Sequence, residues 1–124
     1  MRTLGQKRAE FALNKVTSIA DEQKEKFKPF SAGAPSMILQ NGFGQAIAFW
    51  LAKGKNEHMT MFNMIKEWLS YEKDDVKNNF IKNTTSAKEF VQSLSAMTQQ
   101  EYLSAQKETL ALLEWVKRYA NAGL

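Results

Sequence analysis

A chain of 124 residues, 44% hydrophobic and 24% charged, has the composition of one soluble domain, spanning 1–124, with a single core. The absence of cysteine excludes disulfides, thiolate nucleophiles and thiolate metal sites. A net charge of +4 and a pI near 9.3 admit an anionic partner, and equally serve solubility alone.

No apolar run approaches the roughly 20 residues of a membrane span. The opening MRTLGQKRAEF lacks the apolar segment of a secretory signal, so the expectation is a cytoplasmic protein without membrane contact.

Thr3-Leu4-Gly5-Gln6 has the form of a capping box, a hydroxyl N-cap with Gln three residues on. Ala9, Ala12, Leu13, Val16, Ile19 and Ala20 follow at helical spacing, which predicts a first helix to about Lys26. Phe27–Gly33 reads as a loop, because Pro29 disfavours helical backbone at Lys28. Pro35 suits the first position of a new helical segment, where its missing N–H costs nothing.

The stretch Pro35–Lys55 reads as the organising hairpin arm. Asn41-Gly42 and Gly44 punctuate it, with Phe43 between the glycines reaching the core. Gln45–Ala52 then resumes as helix, apolar on most faces through Ala46, Ile47, Phe49, Trp50 and Leu51, and is expected to be central. Gly54 ends it, flanked by Lys53 and Lys55.

Asn56 is placed to cap a further helix, Glu57 to about Leu69, with Met59, Phe62, Ile65, Trp68 and Leu69 as its buried stripe. Within Ser70–Lys82, Asp74-Asp75 can start a short helix carrying Val76, Phe80 and Ile81, and Asn83–Thr85 reads as a turn. Ser86–Glu89 and Thr98–Glu101 are two more capping boxes. The second opens a long final helix to about Ala122, stopped by Gly123. Glycine and proline punctuate helical periods, so the fold class is all-α, a bundle of five to six helices with a long C-terminal one.

NGFGQAIAF at Asn41–Phe49, together with LLEWVKRYA at Leu112–Ala120, resembles the small α-helical subunit of Cmr complexes. Those are type III-B CRISPR effectors that use a guide RNA to find and silence target RNA. The resemblance spans nearly the whole chain. It implies a non-catalytic subunit, present in several copies stacked head to tail as a minor filament. That filament would lie beside backbone subunits and against a large polymerase-like subunit, near guide RNA and target RNA.

Enzyme chemistry finds no support in the residues. His58 is the only histidine, which excludes paired-histidine metal sites, and no nucleophile motif partners it; a surface or helix-end role is expected. Gly42-Phe43-Gly44 starts like a dinucleotide fingerprint, but Ile47 stands where the third glycine belongs. Gly54-Lys55 is followed by Asn56 instead of the Ser or Thr of a P-loop. Asp74-Asp75 has no spaced third carboxylate for a calcium loop. No catalytic residue, metal site or cofactor is expected.

The candidate RNA-binding residues are Arg2, Arg8, Lys15, Lys53, Lys55, Lys117 and Arg118. They form one cationic track if the first helix, the last helix and the Gly54 corner meet. Such a track would hold phosphates without reading bases, which suffices where guide pairing carries the sequence test. No aromatic-rich single-strand platform is evident. Lys117-Arg118 equally suits the negative end of its helix. Tyr71, Phe27 and Phe30 are candidates for exposed stacking contacts. The alternative function is a stand-alone helical protein adaptor whose charge is incidental.

Overall fold

All three capping boxes form. Thr3, Ser86 and Thr98 each accept from the backbone N–H three residues on, while Gln6, Glu89 and Glu101 reach back to the cap. The returned bond from the Thr98 N–H holds the Glu101 carboxyl below the usual carboxylate range. The computed structural model describes residues 1–83 and 85–124, and its elements are six helices. They are α1 (Leu4–Thr17), α2 (Asp21–Asn41), α3 (Phe43–Lys53), α4 (Asn56–Leu69), α5 (Ala87–Ala96) and α6 (Gln99–Asn121). The all-α class and the long last helix are as expected.

The first helix stops well short of Lys26. Thr17 Oγ1 donates to the Leu13 carbonyl and Ser18 Oγ to the Asn14 carbonyl, which the Ser18 N–H also uses, so hydroxyls compete with the backbone for the last carbonyls of the helix. The chain turns through Ser18–Ala20 and α2 starts afresh, with Asp21 and Glu22 in its first turn where the helix end favours anions.

The loop expected at Phe27–Gly33 and the helix start expected at Pro35 are both replaced by continuous helix, with Pro29 and Pro35 inside α2. Each proline deletes one backbone bond, yet Phe27, Ser31, Ala34 and Ile38 bury one stripe at spacings of four, three and four on either side. Burial of that stripe outweighs the two lost donors. Phe27 is therefore core, with 2% of its surface exposed, while Phe30 and Tyr71 are partly covered.

α3 is less central than its composition suggests. Phe43, Ala46, Ile47 and Trp50 are buried, but Phe49 stands 45% exposed. The axis of packing is α6, which lies along α1 and α2 and also touches α4, and buries Ala105, Thr109, Leu112, Leu113 and Val116. α5 closes the far side of α3 through Phe90, which meets Phe43 and Phe62 edge-on.

Lys55, rather than Asn56, takes the N-cap position of α4, and no side chain caps it. Asp74-Asp75 starts no helix. Both residues adopt left-handed backbone (φ 55° and 66°), a conformation in which Asp is among the better-tolerated residues. The segment instead folds back on α4. The Asn78 amide donates to the Trp68 carbonyl at 2.8 Å, and Val76 and Ile81 are buried. Of the turn expected at Asn83–Thr85, Thr84 lies outside the described residues.

Candidate nucleic-acid interface

Gly42 and Gly54 create the corners that present α3. Gly42 adopts φ 89° and ψ 154°, a region essentially confined to glycine. Having no side chain, it leaves the start of α3 uncapped, and the Tyr102 hydroxyl takes over by accepting the Gly44 N–H at 2.7 Å. At the other end Gly54 is left-handed (φ 63°), and its N–H closes onto the Trp50 carbonyl. Lys53 is the last residue of α3 and Lys55 the N-cap of α4, so two ammonium groups flank one exposed corner.

The other expected cations are mostly paired. Arg2 meets Glu10 at 2.9 Å on the surface. Arg8 binds Glu108 through Nε and Nη2, at 2.7 and 3.1 Å, in a place where both side chains are largely covered. Lys15 pairs with Glu67 and lies over the Phe11 ring. Lys117 stands 3.9 Å from Glu114, one turn back on α6. Lys53, Lys55 and Arg118 have no ion-pair partner among the described residues; Lys53 instead sits 5.4 Å from the centroid of the Phe49 ring.

The first and last helices do meet, with Arg8 and Glu108 tying α1 to α6. Lys15 also shares a groove of about 340 Å³ with Asn56, the neighbour of Lys55. α3, which carries Lys53, packs chiefly on α2, α4 and α5.

His58 lies in the first turn of α4, its ring 4.6 Å from that of Phe30. Its Nδ1 is sealed from solvent without a hydrogen-bond partner among the described residues. Burial pushes the imidazole below its ordinary value, with Lys55 and Lys53 adding to that and Glu57 opposing it. No group of three His, Asp or Glu among the described residues is placed to hold a metal ion. No described helix is long and apolar enough to cross a membrane.

Sequence reasoning passed over two features near the corner. One is the exposure of Phe49. The other is the groove of about 370 Å³ between α2 and α3, lined by Met37, Asn41, Gln45, Ala46 and Phe49. The i, i+4 spacing of Gln45 and Phe49 placed them on one face, but only the packed α2 shows that this face is open.

Comparison with known proteins adds an independent line. A family model described as CRISPR-associated protein (Cas_Cmr5) matches residues 4–123. A Thermus thermophilus protein named CRISPR system Cmr subunit Cmr5 is 28% identical over 123 residues, covering 98% of this chain and 96% of its own. A Thermotoga maritima protein of the same name is 32% identical over 118 residues, covering 95% of this chain and 82% of the relative. The crystal structure of a CRISPR-associated Cmr5 family protein from Thermus thermophilus superposes with a TM-score of 0.79 at 28% identity. That match covers 98% of this chain and 97% of the other.

Proposed function

Since this chain belongs to the Cmr5 family of CRISPR-associated proteins, we propose that it is the small subunit of a type III-B RNA-guided effector complex. In that complex it acts without catalysis of its own, in several copies stacked head to tail as a minor filament. Its neighbours there are other copies of itself, backbone subunits and the large polymerase-like subunit. Head-to-tail stacking uses two different faces of one molecule, which a compact bundle with distinct ends can supply. The observation that carries this reading is the family match across nearly the whole chain, at a TM-score of 0.79 to a solved member.

Guide or target RNA is held at the surface through phosphates. Within the candidate set, Lys53 and Lys55 are best placed: both are exposed and neither is engaged by a carboxylate among the described residues. Arg118 shares that freedom at the end of α6. Arg2, Arg8, Lys15 and Lys117 would each have to share or give up a carboxylate to do the same.

The test is affinity purification of the tagged protein from its native host, with both protein and RNA identified. Recovery of a large polymerase-like subunit with short guide RNAs sharing a repeat-derived end is the expected result. Recovery of one unrelated protein and no RNA would overturn the reading and leave a stand-alone adaptor.

A further inference from the structure

Phe49 is out of keeping with its helix. The other large aromatics of α3, Phe43 and Trp50, are fully buried, whereas Phe49 keeps 45% of its surface in water. It forms one wall of the α2–α3 groove, with Met37 and Ala46 as apolar lining and the Asn41 and Gln45 side chains, both on exposed residues, as polar lining. Lys53 stands at its ring and Lys55 two residues beyond.

Charge selects the occupant. From Lys26 to Asn56 the sequence holds no aspartate or glutamate, while it holds Lys26, Lys28, Lys53 and Lys55. From Lys26 onward α2, with all of α3 and the corner after it, therefore carries no fixed negative charge, and these four lysines are its only charged side chains. An apolar helix of a protein partner would leave those lysines and the two amides uncompensated. A single-stranded nucleotide would use every part: a planar base against an aromatic ring, amides for its edge, and ammonium groups for the phosphates on either side.

We propose that the α2–α3 groove is a nucleobase subsite, in which Phe49 stacks one unpaired RNA base while Lys53 and Lys55 hold the adjoining phosphates. This rests on the reading that the subunit contacts RNA at the Gly54 corner, and adds to it a contact that is not electrostatic. The subsite tolerates any base, because every base offers a π-face and an amide can turn to present either donor or acceptor.

The two kinds of contact differ in their response to salt. Phosphate contacts release counterions, about 0.7 in the slope of log affinity against log salt per phosphate for a single strand, whereas stacking releases none. The experiment reconstitutes the effector complex with its guide RNA and with wild-type or variant subunit. It measures affinity for a complementary single-stranded RNA across a salt series. Phe49→Ala is expected to weaken binding by about tenfold for each copy of the subunit on the strand, with the salt slope unchanged, and Phe49→Trp to retain affinity. The Lys53→Ala/Lys55→Ala pair is expected to reduce the slope by about 1.4 for each copy of the subunit on the strand.

If the lysine pair lowers the slope and Phe49→Ala leaves affinity untouched, the stacking subsite is overturned and phosphate contact stands. If the lysine pair changes neither affinity nor slope, RNA contact at this corner fails and the subsite with it. If Phe49→Ala releases the subunit from the complex while the remaining particle binds RNA as before, a protein neighbour covers the groove and the proposal is wrong. Thermal melting of each isolated variant separates these outcomes from loss of fold.

Discussion

Arg8 and Glu108, 100 residues apart in sequence, form a two-bond fork across the α1–α6 seam, and the Trp68 indole N–H donates to the same carboxylate at 2.8 Å. Glu108 thus answers three donors from two other helices, in a place where its side chain is only 12% exposed. Glu108→Ala strands a covered guanidinium and an indole N–H together, and is expected to cost about 2–4 kcal/mol. Arg8→Lys keeps the charge but loses the fork, and is expected to recover only part of that. Urea unfolding of the isolated protein measures both.

The glycines of α2 and its exit respond in opposite directions. Gly33 lies inside α2 with helical backbone, and a methyl group there meets nothing within 4 Å. Gly33→Ala is therefore expected to stabilise the fold by about 0.5–1 kcal/mol. Gly42 has equal room, but its backbone conformation excludes a side chain. Gly42→Ala is expected to destabilise by about 1–3 kcal/mol. Midpoints of thermal unfolding for the two variants should fall on opposite sides of the wild type.

Stability should depend on pH through His58. Its imidazole is held below the ordinary 6.5 by burial first, then by Lys55 and Lys53, against Glu57. The unfolded chain therefore binds the proton more readily than the folded one. Stability is then undiminished above about pH 6.5, and falls with pH from there down to the lower folded value. The denaturation midpoint of the wild type should drop between pH 7.5 and pH 5.5. His58→Gln should drop less over the same interval; an equal drop would assign the dependence to other groups.

Tyr102→Phe isolates a cap supplied from another helix. The change removes the acceptor of the Gly44 N–H while leaving the ring near Phe43 in place. The expected cost is about 1–2 kcal/mol, comparable with Thr98→Ala at the neighbouring capping box. Hydrogen exchange should show the loss confined to the first turn of α3 in the first case and of α6 in the second.

Local chemistry was legible in the sequence; choices settled by tertiary burial were not. Each capping box is a four-residue device that needs no distant partner, and Gly42, Gly54 and Gly123 all show the positive φ that ends or bends a helix. Pro29 and Pro35 misled because a proline's local cost is visible, whereas the buried stripe of Phe27, Ser31, Ala34 and Ile38 has value only against α6 and its neighbours. That stripe was present in the sequence as a four-three-four spacing, and giving it more weight than the prolines would have found α2. The break at Ser18–Ala20 was also local, carried by hydroxyls on Thr17 and Ser18 that periodicity does not register.

The candidate interface divides in the same way. Lys53 and Lys55 follow from the Gly54 stop alone. The engagement of Arg8, by contrast, depends on Glu108 arriving from the far end of the chain. Exposure of Phe49 could not be read from an apolar run, because hydrophobicity says what a residue prefers and not which neighbour is missing.

The bond from Gly44 to Tyr102 spans 58 residues, and the Arg8–Glu108 fork spans 100. Both end on α6, the last of the six helices to emerge during synthesis. Until it emerges, α1 and α2 lack the helix against which each packs most, and the first turn of α3 has no cap. Residues 1–98 therefore wait for a shared partner, with the parts of their apolar stripes that face α6 uncovered. Such a nascent chain is prone to premature self-association until α6 is in place.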